Sequence, residues 1–352
     1  MSDSLLVRSL GQVAEMDAQT WDALNAQAGG SMLTSHRFLN AFEQSQSVCP
    51  DTGWQPHHLL IQEDNGPARA AAETSADAST DTNTSAQNIV AVVPLYVKGH
   101  SYGEFVFDWA WADAYQRAGL RYYPKWLAGV PFTPVTSARL LCAPEDQSLA
   151  AQALLQTVKA TNLSSLHVLY TTASEQAYLE QAGCLTRHHT QFHWHNPGWS
   201  TFDDFLAQLT QPKRKKVRAE RRKVEQAGVV TTVKTGADIT EADWDFFYQC
   251  YDNTYAERGN PPYLTRDFFR LIDPECSVMV LAYMDAQPIA SSLLWFDTIT
   301  DPARDKPIKK LYGRYWGCTR HLDCLHFEVA YYTPIQWAID NGIDIIEGGA
   351  QG

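Results

Sequence analysis

The chain has 352 residues, 45% of them hydrophobic, 12% aromatic and 19% charged, which excludes a wholly disordered protein and suffices for sizeable cores. That length predicts two domains, and the net charge of −12 argues against indiscriminate nucleic-acid binding and against DNA as a partner. No apolar run reaches the roughly 18 residues of a transmembrane segment. The N-terminus lacks a secretory pattern, and seven scattered cysteines without a C-x-x-C pair predict a reduced, cytoplasmic setting.

In chain order, strands are predicted at 57–62 and 89–97. Between them, residues 66–88 are rich in Ala, Ser and Thr and carry no aromatic or branched aliphatic side chain. Such a stretch cannot offset its ordering entropy, so a disordered insert at a hairpin tip is expected. A helix over 148–162 and a strand over 166–170 follow. The turn signal Asn196-Pro197-Gly198 divides the chain into domains 1–197 and 198–352. Beyond it, Ser200 or Thr201 with Asp203 or Asp204 three residues on predicts a capped helix that stops before Pro212. A second helix runs from Pro212 to a stop at Gly228. Strands at 278–284 and 288–296 meet at a turn over Asp285-Ala286-Gln287. A strand at 309–317, a helix at 333–342 and a strand at 343–349 close the chain. Each half thus opens with a Trp-Asp pair and an aromatic-bearing stretch (32–42 and 262–272) and continues into strands, a helix and a strand. That order predicts two tandem copies of one α/β fold with mixed sheets.

The helix at 212–227 concentrates positive charge. Eight basic residues stand against two acids from Lys213 to Gln226, giving +6 there and −18 on the rest. At 100° per residue, Arg214, Arg218 and Arg221 form one stripe with Arg222 beside it. Val217 and Val224 flank the stripe and face the body, with Lys216 and Lys223 opposite. Arginine suits bidentate phosphate or carboxylate recognition, so the stripe is a candidate anion and donor site. The alternative is a solvated face pairing with acids elsewhere.

From Phe105 to Pro134 the sequence interleaves rings with Asp108, Asp113, Arg121 and Lys125. In an extended segment Trp109 and Trp111 would share a face and Asp108 would take the other. Trp109, Trp111, Asp113 and Tyr115 are candidate walls of a polar-ligand pocket, with Asp108 a candidate base; the alternative is plain core. In the C-terminal block, His326 and Glu328 are candidate general bases. Tyr312, Arg314, Tyr315, Trp316 and Tyr332 are candidate substrate contacts, and Glu347 ends a strand where α/β folds commonly hold ligands. His188, His189, His193 and His195 lack a fitting carboxylate or cysteine, so no metal site is read there.

The strings KGHSYGEFVFDWAWADAYQRAG (98–119), YYPKWLAGVPFTPVTSARLL (122–141), QFHWHNPGWSTFDDFLAQLTQPKRKKVRAERRKV (191–224) and GRYWGCTRHLDCLHFEVAYYTPIQWAIDNGIDIIEGGAQG (313–352) resemble the FemAB-like family of bacterial predicted N-acyltransferases, or peptidoglycan biosynthesis/recognition proteins. The resemblance covers most of the chain except 66–88. It implies tandem GNAT-type (acyl-CoA N-acyltransferase) domains and transfer of an acyl or aminoacyl group to an amine in cell-wall metabolism. It implies acyl-CoA or aminoacyl-tRNA as donor, with a small molecule or cell-wall precursor as acceptor. Relatives continue past GAQG, which implies a longer protein. The Q/R-x-x-G-x-G/A pyrophosphate loop of GNAT enzymes is found in neither half. Two further readings stand beside transfer: a non-catalytic module recognising a wall precursor or anion, and a tRNA- or RNA-binding protein acting through the basic helix.

Overall fold

A computed structural model describes residues 5–63, 89–300 and 306–349, and the stretch expected to be a disordered insert, 66–88, lies outside them. The chain forms two compact units, Met1–His188 and His189–Gly352. The division precedes the turn at Pro197, because His193–His195 forms a strand in the second unit's sheet.

The first unit contains β1 (Leu5–Leu10), β2 (Trp54–Pro56), β3 (His58–Glu63), β4 (Ile89–Val93), β5 (Leu95–Lys98), β6 (Lys125–Ala128), β7 (Leu141–Cys142) and β8 (Leu166–Val168). They make two four-stranded sheets, β1-β3-β4-β7 and β2-β5-β6-β8. Two long runs feed both sheets. One breaks at His57 between β2 and β3, the other at Pro94 between β4 and β5. Pro94 has no amide hydrogen for the ladder, so pairing is interrupted there. His57 N–H donates to Leu95 O across the break at 2.8 Å. The helix Gln147–Lys159 covers β3 and β4. Its Ala150, Ala151, Leu154, Leu155 and Val158 recur at helical spacing and pack with Leu59, Ile61, Ala91 and Val93. Burying each leucine is worth roughly 1.5–3 kcal/mol.

The second unit holds one six-stranded sheet. Its strands are β9 (His193–His195), β10 (Val229–Thr235), β11 (Ser277–Met284), β12 (Gln287–Ile299), β13 (Ile308–Cys318) and β14 (Ile345–Glu347), ordered β10-β11-β12-β13-β14-β9. The β11–β12 turn places Asp285 and Ala286 at φ 51° and 61°. Two successive positive φ values suit a two-residue hairpin, whose twist then matches its strands. The repeat read from the sequence reappears as topology. In the first unit β1–β3, β3–β4 and β5–β6 are antiparallel and β6–β8 is parallel. In the second, β10–β11, β11–β12 and β12–β13 are antiparallel and β13–β14 is parallel. The fold class is therefore the mixed α/β one expected.

Four helices position the second unit's polar groups. The basic helix spans Gln211–Gln226, with Pro212 in its first turn, and Gly228 follows at φ 79°. Val217 and Val224 are its buried residues. Before it, Thr201 and Asp204 form a capping box on Phe202–Gln208. The helix Glu241–Ala256 lies close on β13 at Gly317, where a Cβ would sit 1.9 Å from the Cys250 carbonyl oxygen. Only glycine permits that approach. The C-terminal helix is continuous from Leu325 to Asp340 but widens to a π-turn over Glu328–Tyr332. Thr333 N–H there donates to Glu328 O, five residues back. Pro334 follows immediately, and its ring and missing N–H disfavour regular α pairing at that point.

Candidate functional site

In the first unit the chain leaves β5 at Lys98 and reaches the helix Trp109–Arg117 through a loop with Phe105 at φ 59° and Phe107 at φ 49°. Non-glycine residues in this region cost free energy and recur where structure serves function. The loop turns Glu104 and Asp108 inward, both at most 2% exposed. Lys125 on β6, fully buried, donates to Asp108 Oδ2 at 2.6 Å, Glu104 Oε2 at 2.8 Å and Ser101 Oγ at 2.9 Å. Tyr122 OH donates to Asp108 Oδ2 at 2.6 Å and lies 3.3 Å from His167 Nε2. Glu104 Oε1 and Asp108 Oδ1 accept no hydrogen bond among the described residues.

Burial raises the Asp108 carboxyl, but hydrogen bonds from Lys125, Tyr122 and Ser101 outweigh it and bring the group down to about 2. So weak a base is mismatched to proton abstraction near neutral pH. Desolvation raises Glu104, with Lys125 opposing. It also lowers His167 to about 4 and Lys98 to about 6. Lys98 lies 3.6 Å above the Trp54 ring and donates to Tyr102 O at 3.3 Å.

The Trp109–Arg117 segment is helical, not extended, and none of its residues is buried. Trp109, Ala112, Asp113 and Gln116 form one helical stripe. Across from it stand Leu120, Arg121, Tyr122 and Tyr123, and the cleft between measures about 440 Å³. Trp111 does not line it and is 55% exposed. Tyr115 instead packs edge-on against Tyr122, their ring centroids 5.1 Å apart.

In the second unit, β13 and β14 pair only from Lys310 to Tyr312 against Ile345 to Glu347. β13 then continues to Cys318 with β12 alone, through an irregularity opposite Leu293 and Leu294 that leaves Arg314 outside the register. Glu347, the last residue of β14, is 4% exposed. Its Oε1 accepts from Lys310 Nζ at 3.3 Å, and Oε2 lies 3.9 Å from His193 Nε2. Oε2 accepts no hydrogen bond among the described residues.

The arginine stripe is largely occupied by acids. Arg221 binds Glu328 through Nη2–Oε1 at 3.1 Å and Nε–Oε2 at 3.3 Å, and its guanidinium lies 4.5 Å over the Phe202 ring. Thr333 Oγ1 also donates to Glu328 Oε1, at 3.1 Å, and Glu328 is buried. Arg218 pairs with Asp203 at 2.9 Å, Lys223 with Asp323 at 2.6 Å, and Arg214 reaches the Ala207 carbonyl at 3.4 Å. Lys213, Lys215 and Arg222 make no ion pair among the described residues.

The remaining expected contacts divide between core and surface. Tyr312 is fully buried, its hydroxyl donating to Asp297 Oδ2 at 3.4 Å. Tyr315 sits among Tyr251, Phe269 and Trp295, and burial pushes its phenol upward. The Trp316 ring lies tilted against exposed His326, their centroids 4.9 Å apart, and desolvation lowers that imidazole. Tyr332 OH donates to Glu220. Glu328, Tyr332 and Arg221 therefore gather where the basic helix meets the π-turn. Asp108 belongs to the first unit's network.

Sequence reasoning missed Glu104, Lys98, Ser101, Tyr123 and His167 in that network. Lys98 and Lys125 pair directly between β5 and β6, so two lysines in short apolar strands were the available signal. Among the described residues no cluster of His, Cys, Asp and Glu could hold a metal ion, and no helix is long and apolar enough to cross a membrane.

With this geometry in view, the chain belongs to the FemAB-like family, described as peptidoglycan biosynthesis/recognition, which it matches over residues 12–352. No curated protein matches it. Among solved structures it is similar to L-PGS from Bacillus licheniformis, at 9% identity over 97% of this chain and 77% of that one, with a TM-score of 0.49. It is also similar to a tandem GNAT protein from the clavulanic acid biosynthesis pathway, at 10% identity over 98% and 89%, with a TM-score of 0.43. N-myristoyltransferase of Saccharomyces cerevisiae with bound myristoyl-CoA matches at 11% identity over 98% and 73%, with a TM-score of 0.43.

Proposed function

We propose that the chain is an N-acyltransferase of peptidoglycan metabolism that passes an acyl or aminoacyl group to an amine docked at Glu347. The observation that carries this reading is the buried Glu347 Oε2, which accepts no hydrogen bond at the point where β14 ends and β13 runs on. A buried carboxylate oxygen left unbonded is costly, and an ammonium group supplies the missing donor. Glu347 then takes one proton from the ammonium, freeing the nitrogen lone pair. The amine attacks the donor's carbonyl carbon, the C–N bond forms, and the donor's C–O or C–S bond breaks as the leaving oxygen or sulfur takes up a proton. Glu328 acts indirectly: held by Arg221 and Thr333, it fixes the basic helix against the π-turn.

The donor in this reading is an aminoacyl-tRNA rather than acyl-CoA. Lys213, Lys215 and Arg222 remain for phosphates, and neither half carries the GNAT pyrophosphate loop. The setting is the cytoplasm, supported by seven unbridged cysteines.

The test is transfer from aminoacyl-tRNA and from acyl-CoA to a lysine-containing wall precursor. Replacing Lys213, Lys215 and Arg222 by Ala should weaken tRNA binding. It should also lessen the slope of log affinity against log salt by about 3, roughly one per lost phosphate contact. Transfer from acyl-CoA alone, or an unchanged salt slope, contradicts the donor assignment. Failure with both donors contradicts the enzyme.

A further inference from the structure

β13 ends at Cys318, a residue the chemistry above does not use. Gly317 before it lets the helix Glu241–Ala256 come close, and side chains of that helix hold the end of the strand. Thr254 Oγ1 donates to Trp316 O at 2.8 Å, and Asn253 Nδ2 donates to Cys318 O at 3.3 Å. The helix stops at Glu257, its C-cap. Past Cys318 the chain turns, Thr319 N–H donating to Ile289 O at 2.8 Å. This turn brings His321 between the end of the strand and the end of the helix. Its Nδ1 lies 3.6 Å from Cys318 Sγ, and its Nε2 lies 2.9 Å from Glu257 Oε1.

A carboxylate only accepts, so Nε2 carries the ring proton and Nδ1 is left to accept from the thiol. A nucleophile, a base within its reach and a third group that orients the base make up the arrangement of acyl-accepting thiols. Cys142, by contrast, donates to the Leu140 carbonyl. Burial, with Glu257 adding to it, raises the Cys318 thiol, and the Arg320 amide opposes. The sulfur therefore rests protonated at neutral pH, and attack requires the proton acceptor that His321 supplies. Cys318 stands six residues beyond Tyr312, the partner of Glu347 on β14. At about 3.3 Å per residue that separates it from Glu347 by roughly 20 Å.

We propose that Cys318, His321 and Glu257 form a second reactive site, separate from Glu347, whose thiol takes a short acyl group from an activated ester. Cys318 is only 7% exposed, which admits a small acyl group and turns away a long one. As Sγ attacks the carbonyl carbon, the S–H proton passes to His321 Nδ1 and the C–S bond forms. The ester C–O bond then breaks, and the leaving oxygen takes that proton from His321. Water releases the acyl group: its oxygen bonds the carbonyl carbon, the C–S bond breaks, and one water proton returns through His321 to the sulfur. Glu257 is a positioning residue that holds the ring and stabilises its charged form. The assignment does not depend on group transfer at Glu347.

The test is acylation of the full chain by p-nitrophenyl acetate, read as the first-turnover rate of nitrophenolate release and, after an acid quench and proteolysis, as the position of the acetyl group. The acetyl group should be found on Cys318. His321→Gln should slow the first turnover about a hundredfold. Glu257→Gln should slow it about tenfold and leave the half-saturating ester concentration unchanged. His321 and Glu257 are 75% and 55% exposed, so neither change threatens the fold. The octanoate ester should react more slowly than the acetate. Acetyl groups on other residues only, or a first turnover unchanged by His321→Gln, overturns the assignment, and equal rates for the two esters overturn the choice of a short acyl group. Because no amine acceptor is present, these results would leave the acyltransferase reading at Glu347 standing.

Discussion

Lys98 and Lys125 face one another in the β5–β6 register, yet their surroundings differ. Lys125 has three oxygen partners, two of them carboxylates; Lys98 has a carbonyl and a ring. Burial therefore dominates at Lys98, lowering it from 10.5 to about 6, with Glu104 opposing. A folded value below the unfolded one means that the unfolded chain binds more protons between those limits, so stability should rise with pH across that window. Chemical denaturation at pH 6.5 and 9 should show the rise, and Lys98→Met should remove most of it. An equal rise in the variant contradicts the burial argument. The chemistry of Asp108 was legible only as a carboxylate among rings. Its three hydrogen bonds come from residues brought together by β6 and the strained loop, so the lowering of its carboxyl to about 2 had no local signature.

At the scale of elements, the helical wheel placed Arg221 beside the buried edge of the basic helix and Val217 and Val224 within it, and both valines are buried. It could not reveal Glu328, which is distant in sequence and arrives through the C-terminal helix. Nor did periodicity reveal the π-turn, although Pro334, which follows it, was visible. Arg221→Ala should strand a buried carboxylate and destabilise the second unit by on the order of 3 kcal/mol. Adding Glu328→Gln should recover part of that loss, as read by denaturant midpoints. A double variant no more stable than Arg221→Ala alone would show that Arg221 acts through its packing on Phe202 instead. The segment at 109–117 shows the converse failure. Trp109 and Trp111 would share a face only in an extended chain, and Ala110, Ala112 and Ala114 interleave with them and favour the helix that forms.

Across the whole molecule, the tandem repeat was legible because each half keeps its order of strands and helices, and both units end their shared layout in a parallel pair. The breaks at His57 and Pro94 were less legible, since a single proline reads as punctuation without showing which sheet each half-strand joins. The division at His188 was displaced from the Pro197 turn because strand β9 is only three residues long. Glu347 was marked by its place at a strand end. Its unbonded oxygen emerged only from the pairing of β14 with both neighbours. The measurement that tests the account most directly is single-turnover transfer by Glu347→Gln beside the unaltered chain, with donor saturating. The account predicts a rate lowered at least about a hundredfold with donor affinity unchanged. An unchanged rate would contradict it.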